Sequence, residues 1–136
     1  MDQPAPPDPR SDARPDRRSD ERLLALVVES ETVLRIETAD LLAEAGFEVL
    51  EAWSAPTAIR QIERYGDIRL VVVDADLPEG RFALARDVAA GWPDRAVVVL
   101  SAGPPPAPGE LPDGVRFGPK PLTAALARAA RERLAG

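Results

Sequence analysis

The chain has 136 residues and a formal net charge of −6, and it contains neither cysteine nor histidine. That length gives one domain with at most a short appendage. The missing residue types exclude disulfides, Cys or His metal ligands, Ser-His-Asp chemistry and a phosphohistidine role, and the acidic balance argues against a nucleic-acid surface, which needs a basic stripe.

Residues 1–21 hold six acids and four arginines, and Met1 is their one apolar residue besides alanine and proline. Such a segment buries too little surface to offset chain entropy, so a disordered, solvated tail is expected, with the folded domain at 22–136. It has no apolar core of a signal peptide, and no run in the chain approaches the ~20 apolar residues of a membrane span. A cytoplasmic protein without membrane contact is expected.

From Leu23 the character changes. Leu23 to Val28 is a continuous apolar run, the mark of a strand buried on both faces. Thr32 to Ala45 carries Val33, Ile36, Leu41 and Leu42 near helical spacing and stops at Gly46, a natural helix end. Phe47 to Ala52 reads as a second strand. Ser54 with Pro56 opens a second helix that closes near Gly66. Ile68 to Val73 is a third strand ending in Asp74, and Phe82 to Ala90 a third helix stopped by Gly91 and Pro93. Ala96 to Leu100 is the fourth strand, ending in Ser101; Val115 to Phe117 is a short fifth. Thr123 to Leu134 is a last helix, with arginines in its final turns where the dipole favours them.

Alternating apolar strands and helices mean an α/β fold with a parallel sheet covered on both faces. Such sheets bind ligands at the carboxyl ends of their strands. Glu29 and Ser30 end the first strand, Asp74 the third and Ser101 the fourth, while Lys120 follows the fifth. Sixteen of the seventeen basic residues are arginine, so Lys120 is the only lysine. Lysine binds phosphate as a compact point charge, whereas arginine suits bidentate recognition, which marks Lys120 as a candidate anion partner. A carboxylate at Asp74 is a candidate nucleophile toward a phosphoryl group, a reaction that needs positive charge nearby.

The runs VVESE after the first strand, VVVDADLP around Asp74, VVLSAG at Ser101 and FGPKP at Lys120 resemble a CheY-like response regulator receiver domain over about residues 22–136. The resemblance implies a doubly wound, flavodoxin-like sheet of five parallel strands in the order 2-1-3-4-5. It implies a stand-alone response regulator that accepts a phosphoryl group from a sensor histidine kinase, or a phosphotransfer protein, onto Asp74. It further implies Mg²⁺ held by Asp74, the backbone carbonyl of Asp76 and Glu29, with Ser101 and Lys120 on the phosphoryl oxygens. Phe117 becomes the switch aromatic that turns inward as Ser101 moves, and the Lys120-Pro121 bond is expected to be cis. No enzymatic activity is implied beyond self-phosphorylation and autodephosphorylation at Asp74. No DNA-binding segment is expected beyond Gly136, and output is expected through an unknown downstream protein.

Bland readings stand beside these. Glu29 suits a cap on the next helix as well as a metal ligand. Phe117 is core in either case, and Trp53 reads as a packing or surface-patch residue. The chain departs from the family's pattern in three places. Ser30 replaces the second of two adjacent acids, which weakens a metal site, although Glu31 lies next door. Only Glu79 and Gly80 are expected between Leu77-Pro78 and the third helix. Five prolines in residues 103–114 forbid the usual fourth helix, leaving an irregular, partly polyproline loop. The alternative is thus a phosphorylation-impaired pseudo-receiver, a protein-protein interaction module of the same fold. An aspartyl-phosphate hydrolase lacks its second catalytic Asp and cap domain here, and no glycine-rich nucleotide loop is present.

Overall fold

A computed structural model of the protein describes residues 22–135. The tail expected over 1–21 lies outside the described residues, as does Gly136. Five strands, β1 (Leu23–Val28), β2 (Phe47–Ala52), β3 (Ile68–Asp74), β4 (Ala96–Ser101) and β5 (Arg116–Pro119), form one parallel sheet in the order β2-β1-β3-β4-β5. Four helices, α1 (Thr32–Glu44), α2 (Ala55–Arg64), α3 (Ala83–Gly91) and α4 (Ala124–Ala135), cover its two faces.

Pleat alternation sorts each strand between two cores. Leu26, Val28, Val71, Val73, Val97 and Val99 meet α2 and α3 through Ala58, Ile62, Leu84 and Val88. On the other face Ala25, Val27, Leu70, Val72 and Leu100 meet α1 and α4 through Ala39, Leu42, Ala127 and Ala130. Central strands that are apolar on both faces have no polar side to offer water, which is why their sequences run unbroken. Burying each such side chain is worth about 1.5–3 kcal/mol, enough to hold polar groups at the strand ends against their preference for water.

Local signals set most boundaries. Ser54 caps α2 with a reciprocal capping box, its Oγ accepting from the Thr57 N–H while Thr57 Oγ1 accepts from the Ser54 N–H. Thr123 Oγ1 accepts from the Leu126 N–H at 3.1 Å at the start of α4. Gly46 follows α1 with φ 108°, a backbone region that L side chains avoid.

Two expected boundaries need correction. The third helix starts at Ala83 rather than Phe82, because Phe82 has φ 66° and cannot continue a right-handed turn. Arg81 and Phe82 therefore lengthen the connection after Leu77-Pro78, which was expected to hold only Glu79 and Gly80. The fifth strand spans Arg116–Pro119, with Val98 beside Arg116 and Ser101 beside Pro119, rather than Val115 to Phe117. Between β4 and β5 there is no helix, as the prolines require. Two tight turns, closed by Glu110 N–H to Ala107 carbonyl and Val115 N–H to Pro112 carbonyl, order that stretch instead.

Candidate functional site

Hydrogen bonds between strand ends build one pocket from four separate segments. The Ala75 N–H donates to the Leu100 carbonyl at 2.8 Å, and the Lys120 N–H donates to the Ser101 carbonyl at 3.0 Å. The Glu29 N–H donates to the Ala52 carbonyl at 3.0 Å. These bonds extend the ladder one residue past each strand, so Glu29, Asp74, Ser101 and Lys120 leave the sheet at one level. Glu29, Asp74 and Ser101 are only 6%, 5% and 1% exposed.

Lys120 closes the arrangement. Its Nζ lies 2.8 Å from Asp74 Oδ1 and 3.1 Å from Glu29 Oε1. Two carboxylates held this close and this dry cost several kcal/mol unless a cation and hydrogen-bond donors satisfy them. Lys120 supplies the cation, the Asp76 N–H donates to Asp74 Oδ1 at 2.9 Å, and the Glu31 N–H donates to Glu29 Oε2 at 3.1 Å. Burial lifts the Glu29 carboxyl above its usual range, with the nearby Asp74 charge adding to it, although the Glu31 N–H and Lys120 pull it down. Burial alone would lower the Lys120 ammonium, but its bonds to Asp74 and Glu29 outweigh that and raise it.

Arg35 holds the first of these acids in place. One of its guanidinium nitrogens donates to the Glu29 carbonyl at 3.0 Å, and its Nε pairs with Glu51 at 3.1 Å. Sequence reasoning missed Arg35, because its contact with Glu29 depends on how α1 folds back beside β2. Ser101 Oγ accepts from the Gly103 N–H at 2.9 Å, so the hydroxyl fastens the start of the proline loop. The Lys120-Pro121 peptide bond is cis.

Ser30 is exposed at the same edge, as are Glu31 and Asp76. Glu31 is the N-cap residue of α1 and its side chain makes no capping bond. Glu29 thus accepts from the N–H at the start of α1 while pairing with Lys120. Among the described residues no group of three acidic, His or Cys side chains is placed to hold a metal ion. Glu29 and Asp74, converging on one ammonium, still offer carboxylate oxygens alone. That suits Mg²⁺, which takes one or two carboxylates and keeps several waters.

Phe117 is half-buried and meets Phe82 edge to face, with ring centroids 6.4 Å apart. The Arg81 guanidinium stacks over the Phe82 ring at 4.2 Å, donates to the Pro104 carbonyl and approaches Glu110 at 3.9 Å. The aromatic pair is therefore tied to the loop that replaces a helix. Nothing in the sequence pointed to Phe82, since a left-handed phenylalanine has no local signature.

No family model and no curated protein matches the chain. Solved structures do match it. A response regulator receiver protein from Sinorhizobium medicae WSM419 is 27% identical with a TM-score of 0.70, the match covering 85% of this chain and 95% of that one. The receiver domain of the hybrid histidine kinase CckA is 29% identical with a TM-score of 0.62, over 82% of this chain and 97% of that one. The signal receiver domain of an HD domain-containing protein from Pseudomonas fluorescens Pf-5 is 24% identical with a TM-score of 0.71, covering 84% and 95%.

Proposed function

The chain has the fold of a response regulator receiver domain, and we propose that it accepts a phosphoryl group onto Asp74 from a sensor histidine kinase or phosphotransfer protein. The observation that carries this reading is the Lys120 ammonium seated between two buried carboxylates where four strand ends meet. A buried carboxylate with a cation at 2.8 Å is held ready as a nucleophile, and the same cation neutralises charge on an incoming phosphoryl oxygen. An Asp74 carboxylate oxygen attacks phosphorus, the new O–P bond forms as the donor's N–P bond breaks, and the imidazole leaves. Lys120 then shifts from Asp74 Oδ1 to a phosphoryl oxygen. Ser101 turns its hydroxyl toward another, which requires Oγ to release the Gly103 N–H.

Glu29, Asp74 and the Asp76 carbonyl would hold Mg²⁺, which supplies further charge neutralisation when bound. Phe117 follows Ser101 as the switch aromatic, moving against Phe82. Partner contact is supported by the exposed apolar side chains Val33 and Ile36 on α1 and by Trp53, 58% exposed just past Ala52. The downstream partner is a protein, and the chain does no chemistry beyond forming and losing the acyl phosphate. Among the described residues no helix is long and apolar enough to cross a membrane.

The second reading, a pseudo-receiver acting only through protein contacts, is favoured by Ser30, which leaves one acid at the end of β1, and by Lys120 already closing over both carboxylates. Incubation with acetyl phosphate and Mg²⁺, read by intact mass, separates the two. An adduct of about 80 Da, the mass of an acyl phosphate, that disappears in Asp74→Asn supports phosphotransfer. No adduct at any Mg²⁺ concentration supports the pseudo-receiver.

A further inference from the structure

Close-packed interiors leave few voids larger than a water molecule. Between α4 and the β4–β5 edge, however, lies a cavity of about 460 Å³. Its origin is sequence volume. Where the sheet presents Leu70, Val72 and Val98, α4 answers with Ala127 and Ala130, and Gly118 leaves β5 without a side chain, so the gap between them is not filled. The size falls in the range of small-molecule sites, and the lining combines apolar side chains with two arginines.

The charged residues of the lining say what would enter. Val98 pairs with Arg116 and Leu100 with Gly118 in the parallel ladder, and Val98 and Leu100 belong to the α4-side core. Pleat alternation therefore puts Arg116 on the face that should be covered by α4. Arg133, in the last turn of α4, lines the same cavity. Among the described residues neither arginine forms an ion pair or a hydrogen bond. Both arginines are exposed and border the cavity, and a carboxylate is the group that their planar forks match best.

We propose that this cavity binds a small amphipathic carboxylate, its aliphatic body between α4 and β4–β5 and its head group on Arg116 and Arg133. The site is separate from the Asp74 pocket and does not depend on phosphotransfer. Gly118 gives the means of closing it. A Cβ there meets Leu100 at 3.5 Å and Leu126 at 3.6 Å, ordinary contacts that leave the fold intact, and a longer side chain extends into the gap.

The test is calorimetric titration of the full chain with decanoate below its micelle concentration, beside decanol as a neutral control, with thermal melts of every variant. Saturable one-to-one binding of decanoate is expected, with decanol weaker. Arg116→Ala combined with Arg133→Ala should weaken decanoate about tenfold or more, the loss of a charge-assisted pair. Gly118→Ala should weaken it and Gly118→Leu abolish it. Should Gly118→Leu fail to fold, the graded effect of Gly118→Ala still decides. Equal binding of decanol, binding indifferent to the arginines or to Gly118, or no saturable binding would each overturn the proposal. So would a concentration-dependent dimer that Gly118→Leu abolishes and decanoate leaves untouched, which would make the cavity a contact between two copies of the chain.

Discussion

The Lys120 ammonium lies 2.8 Å from Asp74 Oδ1 while also touching Glu29 at 3.1 Å, so one cation satisfies two buried acids at once. Its removal should therefore cost more than a surface pair would. Lys120→Met leaves both carboxylates buried without a counter-charge, a loss of about 3 kcal/mol or more at neutral pH. Urea unfolding measures it as a lower midpoint at unchanged slope. Part of the loss should return in acid, where Glu29 takes up a proton.

Lys120→Arg separates charge from shape. It keeps the cation and so retains more stability than Lys120→Met, but a planar fork replaces a compact donor. Acyl phosphate formation should fall about tenfold or more, as expected when a positioned charge is displaced. If phosphorylation is unchanged, its being the chain's only lysine carries no functional meaning.

The pH dependence follows from the two raised groups. Glu29 is raised above 4.5 chiefly by burial, so the folded state binds its proton more tightly than the unfolded chain does. Its contribution to stability is then fully present below 4.5 and is lost as pH rises through the raised value. Glu29→Gln should accordingly gain stability relative to the parent as pH climbs from that acid range toward neutrality. Lys120 is raised above 10.5 despite its burial, by Asp74 and Glu29. Its contribution holds up to about 10.5 and fades as pH rises beyond it through the folded-state value. Unfolding curves of parent and variant across both ranges check the two signs.

Phe82 combines a buried ring with φ 66°, an arrangement that packing must enforce. Phe82→Ala should cost about 3 kcal/mol through the void it leaves, since alanine keeps the Cβ and so the backbone strain. It should also free Arg81 from its stacking partner and loosen the loop after Ser101. Amide exchange at Gly103, whose N–H is held by Ser101 Oγ, reports that loosening.

Ser30→Asp returns a second acid to the end of β1. With another carboxylate near Glu29 and Asp74, Mg²⁺ affinity should rise about tenfold or more. Trp53, exposed beside Ala52, offers a fluorescence readout. An unchanged titration would mean that an acid at position 30 does not reach the metal.

The fold and the pocket's membership were legible because strong local signals coincide. IRLVVV followed by Asp74 is a buried strand with a charge at its end, and FGPKP has no other lysine to compete with it. The absence of a helix between β4 and β5 was equally plain, since prolines cannot donate. What was hidden depends on distances between segments. That Lys120 spans both Glu29 and Asp74, and that Arg35 reaches the Glu29 carbonyl, follow only from how four strand ends align. Phe82 was placed inside a helix because apolar periodicity says nothing about the sign of φ. The gap under α4 was invisible for another reason: alanines at helical spacing look like any apolar face until their volume is set against Leu70 and Val72.

Borohydride trapping tests the phosphoacceptor assignment most directly. Hydride reduces an acyl phosphate to an alcohol, so the chain treated with acetyl phosphate and Mg²⁺, reduced, digested and mapped by mass should carry homoserine at position 74 in place of Asp74. Homoserine or a homologous alcohol at another acid, such as Glu29 or Asp76, or no reduced residue at all, would contradict the assignment.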